Sequence, residues 1–225
     1  MHATEAVAIE VNESVRVAGL WQRPAAAHIG VVLAHGAGAG MRHPFMAQVA
    51  EDLAARSIAT LRFQFPYMER RAKRPDPPPL CYATVRAAAA TAARLAPNLA
   101  LFAGGKSFGG RMTSQAQAAE PIAAVRGLVF LGFPLHPPGR PGDARGEHLY
   151  SVRLPMLFLQ GTRDQFADLA LLQPLIERLG TRADLKLFQH ADHSFHVPAR
   201  SGTSTADVMT GLADATAQWL ALHAA

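Results

Sequence analysis

Two rhythms of apolar and polar positions alternate along the chain. Short apolar runs bounded by glycine, proline or charge read as buried strands. Between them lie longer stretches with apolar residues at helical spacing. The first two runs, 6–11 and 15–20, flank Asn12-Glu13 and predict an antiparallel hairpin at a sheet edge. The β-branched run 29–34 predicts a buried strand that ends in the glycine-rich loop from His35 to Gly40. Phe45, Val49 and Leu53 mark a helix over 44–56, and 57–63 reads as the next strand. Proline makes 64–80 irregular, and alanine-rich 81–95 is helical. The run 99–103 is a strand that ends at Gly104-Gly105, with a helix over 107–119 stopped by Pro121. Strands follow at 125–132, 155–160 and 184–188, and helices at 168–179 and 205–222. The segment 133–152, rich in proline, glycine and charge, reads as a loop.

Strands that alternate with helices predict an α/β fold, with a mostly parallel central sheet of about seven or eight strands covered on both faces. Sites in such sheets lie beyond the carboxyl ends of the strands. The loops that begin at His35, Gln64, Gly104, Phe133, Gln160 and Gln189 are therefore where chemistry is expected.

Composition narrows the picture without changing it. The 225 residues suit one domain over 1–225, burying roughly 70% of the unfolded surface. Apolar content of 49% against 17% charged is that of an ordinary globular chain. A single cysteine, Cys81, excludes an internal disulfide framework and fits a reducing compartment. The start has no basic segment leading into an apolar core, and no run is long enough to span a bilayer, so a cytoplasmic protein without a membrane partner is expected. The net charge of +5 comes mostly from scattered arginines. The cluster Arg70, Arg71, Lys73 and Arg74 lacks interleaved aromatics, so it reads as a solvated loop or an anion-binding rim, and no nucleic acid is expected.

Chemistry enters at Gly105-Lys106-Ser107-Phe108-Gly109. This G-x-S-x-G sits between a strand and a helix, where a sharp turn would push the Ser107 hydroxyl clear of the sheet. Spacing and residue order fall short of a phosphate-binding loop. Such a motif arises by chance often enough that its partners must decide. In the loop after the strand 155–160, Asp164 is placed to orient an imidazole, with Asp168 assigned to the start of the following helix. After the last strand, His193 follows Asp192 and is the expected general base, with His190 the fallback. His190, His193 and His196 lie three residues apart, but no helix or second ligand set supports a metal. The order Ser107, Asp164, His193 is that of an elbow serine served by later strand ends. The backbone N–H groups of Ala37 and Phe108 are the expected oxyanion donors, with His35 holding that loop. Lys106 should point away from the hydroxyl in a structural role. This chemistry needs no cofactor.

These residues together resemble the α/β-hydrolase superfamily from Ile29 onward. The segments 63–70, 74–77 and 132–139, with Glu147-His148, resemble a narrower branch. It comprises small, dienelactone-hydrolase-like bacterial hydrolases, similar to a subunit of a eukaryotic chromatin-modifying complex. The resemblance implies serine hydrolase chemistry on a small soluble ester or thioester. Peptidase activity, or a non-catalytic binding role on the same scaffold, is the alternative. The short gap between the strands ending at Gly132 and starting at Pro155 leaves no room for a cap domain. The open cleft would be lined by Phe65, Tyr67, Met68, Phe133, Leu135, His136 and Phe166.

Overall fold

A computed structural model describes residues 2–224; Met1 and Ala225, the ends of the expected domain, lie outside the described residues. The hairpin forms as β1 (Thr4–Asn12) and β2 (Val15–Gln22). The remaining strands are β3 (Ile29–Ala34), β4 (Ile58–Phe63), β5 (Ala100–Lys106), β6 (Val125–Leu131), β7 (Met156–Gly161) and β8 (Ala183–Phe188). They make one eight-stranded sheet in the order β1-β2-β4-β3-β5-β6-β7-β8. All neighbours from β4 to β8 pair in parallel, while β2 runs antiparallel to both β1 and β4.

Period-two alternation gives the central strands two apolar faces. On β3, Val31 and Leu33 join one core with Phe102, Val129, Leu131, Leu157 and Leu159. Val32 and Ala34 join the other, with Leu61, Phe63, Leu128, Phe130 and Phe158. Helices α1 (Pro44–Ala54) and α6 (Thr205–Leu222) cover the first face through Met46, Val49, Leu53, Leu212 and Trp219. On the second face lie α3 (Pro78–Leu95), α4 (Phe108–Ala119) and α5 (Leu169–Leu179), with the short α2 (Pro66–Glu69) before them. Among the described residues no helix is long and apolar enough to cross a membrane.

Three local expectations need correction. The pivot strand does not stop at Gly104-Gly105 but continues through both to Lys106, because these glycines fit between neighbouring strands as β residues. The proline-rich segment is not wholly irregular: Pro66 and Pro78 open helices at their first positions, where a missing N–H costs nothing. The segment before β7 holds a 3-10 helix, Ala144–Ser151, clamped to α4 where Ser114 Oγ meets His148 Nε2 at 2.8 Å. Among the described residues no cap domain interrupts the fold. The chain leaves β3 toward β4 and then returns to β5 on the other side, so a topological switch point opens beyond the ends of β3 and β5.

Candidate active site

The turn at this switch point is possible only because its flanking residues lack side chains. A Cβ on Gly105 would stand 2.2 Å from the Ala34 carbonyl oxygen. One on Gly109 would stand 2.5 Å from the carbonyl oxygens of both Ala34 and His35. Between them Ser107 takes φ 50° and ψ −116°, a conformation that costs a non-glycine residue on the order of 1–3 kcal/mol. The surrounding sheet holds it there, and the Ser107 N–H donates to the Leu131 carbonyl at 3.2 Å. The hydroxyl emerges at the start of α4, where N–H groups are unpaired and the helix dipole is positive.

Asp164 and His193 arrive from the ends of β7 and β8. His193 Nε2 lies 2.8 Å from Ser107 Oγ, and His193 Nδ1 lies 2.7 Å from Asp164 Oδ2. The Asp164 side chain is fully buried. Its Oδ1 accepts the Phe166 N–H at 2.8 Å, and its Oδ2 also accepts from Gln160 Nε2 at 2.5 Å. With that carboxylate accepting at Nδ1, the imidazole carries its proton there and presents a free lone pair at Nε2 to the hydroxyl. The Phe166 ring covers it at 4.3 Å between centroids. Asp192 shapes the turn by accepting the N–H groups of Ser194 and His196 at 2.8 and 3.0 Å. Asp168 caps α5 instead, accepting the Ala170 N–H at 2.9 Å. His190 is exposed and its main-chain N–H donates to Thr162 Oγ1; the ring that meets Ser107 and Asp164 is that of His193. Among the described residues no group of three His, Cys, Asp or Glu is arranged to hold a metal.

Gln160 is the partner that sequence reasoning missed. It donates to Asp164 and accepts the Phe133 N–H at 2.9 Å, so it locks the carboxylate to the end of β6. A signal was present: Gln160 is a polar residue in the otherwise apolar run of β7, and it is wholly buried.

The loop after β3 is built around His35. Its Nε2 accepts the Phe65 N–H at 3.1 Å, so Nδ1 carries the hydrogen and donates to the Gly36 carbonyl at 2.8 Å. Burial pushes the His35 pKa down to about 4, more than offsetting the opposing effect of the Gly36 bond, and keeps this tautomer neutral. That carbonyl shares its peptide plane with the Ala37 N–H, which a trans peptide points the opposite way. The Tyr67 hydroxyl donates to the Ala37 carbonyl at 2.9 Å and holds the next peptide as well.

The expected cleft lining must be revised. Tyr67 and Phe133 are fully buried. Tyr67 packs against His35, Phe65 and Phe108, and Phe133 against Phe130 and Phe158. Phe65 and Leu135 lie in the same core, and Met68 packs against it. His136 is a buried clip: Nδ1 donates to the Pro137 carbonyl, and Nε2 accepts the Asp168 N–H at 2.9 Å. Of the seven expected residues only Phe166 faces the cleft. Arg70, in the basic loop, is paired with Asp76.

The actual cleft, about 790 Å³, runs from Ser107 and His193 toward the N-termini of α1 and α6. Its wall includes Gly36, Ala37, His43, Pro44, Phe45, Met46, Gln48, Lys106, Phe166, His196, Thr205 and Met209. Phe45, Met46 and Met209 escaped notice because they lie on helices, outside the strand-end loops. The Lys106 ammonium donates to the His193 carbonyl at 2.5 Å.

Comparison with known proteins places this geometry. The chain is similar in structure to a dienelactone hydrolase from Anabaena variabilis (24% identity, TM-score 0.77, covering 99% of this chain and 98% of the other). It is similar as well to a serine hydrolase without a lid from Xanthomonas campestris (20%, 0.75, 96% and 94%). An esterase from Pyrococcus furiosus shares the fold too (15%, 0.75, 100% and 92%). A family model described as an alpha/beta hydrolase domain matches residues 27–221, nearly everything after the hairpin. The strand order, the glycine-flanked turn and this match together make the chain a member of the alpha/beta hydrolase domain family.

Proposed function

We propose that the chain is a serine hydrolase that cleaves carboxylic esters or thioesters through Ser107, His193 and Asp164. The hydrogen-bonded row of these three side chains at the mouth of a cleft carries the reading. As Ser107 Oγ attacks the acyl carbon, its proton passes to His193 Nε2. The buried carboxylate of Asp164 stabilises the imidazolium at Nδ1. The tetrahedral oxyanion is received by the N–H groups of Phe108, at the start of α4, and Ala37. His193 then protonates the departing alcohol or thiol. A water deprotonated by the same nitrogen attacks the acyl-enzyme and releases the acid.

The cleft points to the acyl group. Phe45, Met46, Phe166 and Met209 give it an apolar wall, and Lys106 is the one lysine, arginine, aspartate or glutamate in that wall. An uncharged, apolar acyl chain fits; methionines adapt to chains of different shape. A series of p-nitrophenyl esters from acetyl to dodecanoyl, with the matching acyl-CoA thioesters, tests this. An optimum at intermediate length is expected, moving to shorter chains in Met209→Trp. Uniformly slow rates at every length, or a preference for acyl groups bearing a carboxylate, would overturn it.

A further inference from the structure

Lys106 lies beside the nucleophile in sequence, yet its ammonium reaches the main chain of His193. It is 5.8 and 5.6 Å from the ring centroids of Phe45 and Phe195, a cation-π setting. It also reaches under the end of β6. There, a Cβ added to Gly132 would stand 3.1 Å from Nζ and 3.5 Å from both Asp164 Oδ2 and His193 Nδ1. The ammonium and the inner hydrogen bond of the row thus both lie against Gly132. Its hydrogen bond to the His193 carbonyl is the one that the His193 main chain makes among the described residues.

We propose that Lys106 is a positioning residue for the hydrolysis assigned above, on which this inference rests. Its ammonium fixes the main chain of His193 and so seats the imidazole between Ser107 and Asp164, and loss of its charge unseats the ring.

The groups around Lys106 set the terms of that charge. Asp164, from the loop after β7, and Asp192, from the loop after β8, both favour it. The β3 loop presents Gly36, β6 presents Gly132, and α1 presents Phe45, with His43 further along the wall. From α6 come the uncharged Thr205 and Met209, and His196 lies beyond His193. Burial outweighs the two carboxylates and brings the pKa of Lys106 down to about 8. Below that, the site has a charged donor; above it, a neutral amine makes a weaker bond to the same carbonyl.

The test is the pH profile of kcat/KM for p-nitrophenyl butyrate, with fluorophosphonate labelling of the same full-length samples. A bell is expected for the unaltered chain, its alkaline limb near pH 8. Lys106→Met keeps an unbranched stem between the two rings. It is expected to lower kcat about 10- to 100-fold at pH 7, as small misplacements of a reacting group do, with KM little changed. Its alkaline limb should vanish. Lys106→Arg, whose charge persists, should recover rate and carry the alkaline limb upward. If arginine does not fit, which circular dichroism reports, Lys106→Met decides alone. An alkaline limb that survives in Lys106→Met, or a kcat equal to the unaltered chain at pH 7, overturns the proposal. Absence of labelling at Ser107 in the unaltered chain would sink the hydrolase reading itself. Labelling with no alkaline limb would sink only the role of Lys106.

Discussion

Replacing Tyr67 by phenylalanine separates two roles for one residue. The ring would keep its contacts with His35, Phe65 and Phe108, at centroid distances of 6.0, 6.2 and 6.3 Å. Only the 2.9 Å hydrogen bond to the Ala37 carbonyl is removed. Burial, with the neighbouring Cys81 and Asp76, raises the phenol pKa, so the hydroxyl is a protonated donor throughout the working range. A partly buried neutral hydrogen bond contributes about 1 kcal/mol, which for a chain of this size lowers the melting midpoint by roughly 2–4 °C. The functional effect should be larger in proportion. Full loss of an oxyanion donor costs about 10²–10³ in kcat, and a loosened one should cost about 5- to 10-fold. Thermal melting by circular dichroism and steady-state kinetics on a p-nitrophenyl ester measure both. A lower kcat with KM nearly constant is the expected pattern, because the oxyanion role proposed for the Ala37 N–H acts on the transition state. A raised KM with kcat intact would mean that Tyr67 touches substrate, and the loop-holding role would be wrong.

Two other perturbations probe the supports of the site. Gln160→Leu removes the donor to Asp164 and leaves the Phe133 N–H unpaired, a loss of about 1–3 kcal/mol in stability. Because the carboxylate would turn, kcat should fall about 10-fold or more, and unchanged kinetics would exclude Gln160 from the site. Acid should act through His35, whose pKa of about 4 lies below its value in the unfolded chain. The unfolded state then binds the extra proton, so stability present above pH 6.5 is lost as pH falls toward 4, by up to about 3 kcal/mol. His35→Gln, followed by urea denaturation across that range, should flatten this dependence; an unchanged slope would place the effect elsewhere.

The sheet and the row of Ser107, Asp164 and His193 were legible for the same reason. Apolar runs such as 29–34 and 155–160 have no stable place except inside a sheet. Once strands are located, loops at their carboxyl ends follow. What the sequence could not reveal was which way side chains face within those loops. Tyr67 and His136 are aromatic or polar residues in segments that follow strand ends. They look like cleft residues until their polar atoms are seen to be engaged with the Ala37 carbonyl and the Asp168 N–H. The true wall is built by Phe45, Met46 and Met209, whose helices reach the site only after folding over the sheet. The hydrogen bonds from Phe133 to Gln160 and from Lys106 to His193 span 27 and 87 residues, which no local pattern encodes.

Ser107 as nucleophile is tested most directly by a fluorophosphonate probe with peptide mapping. One covalent adduct on the peptide containing Ser107 is expected. It should be absent in Ser107→Ala and slowed by several orders of magnitude in His193→Ala, with both variants folded. Failure of the folded, unaltered chain to label, or labelling of His193→Ala at the unaltered rate, would contradict the assignment.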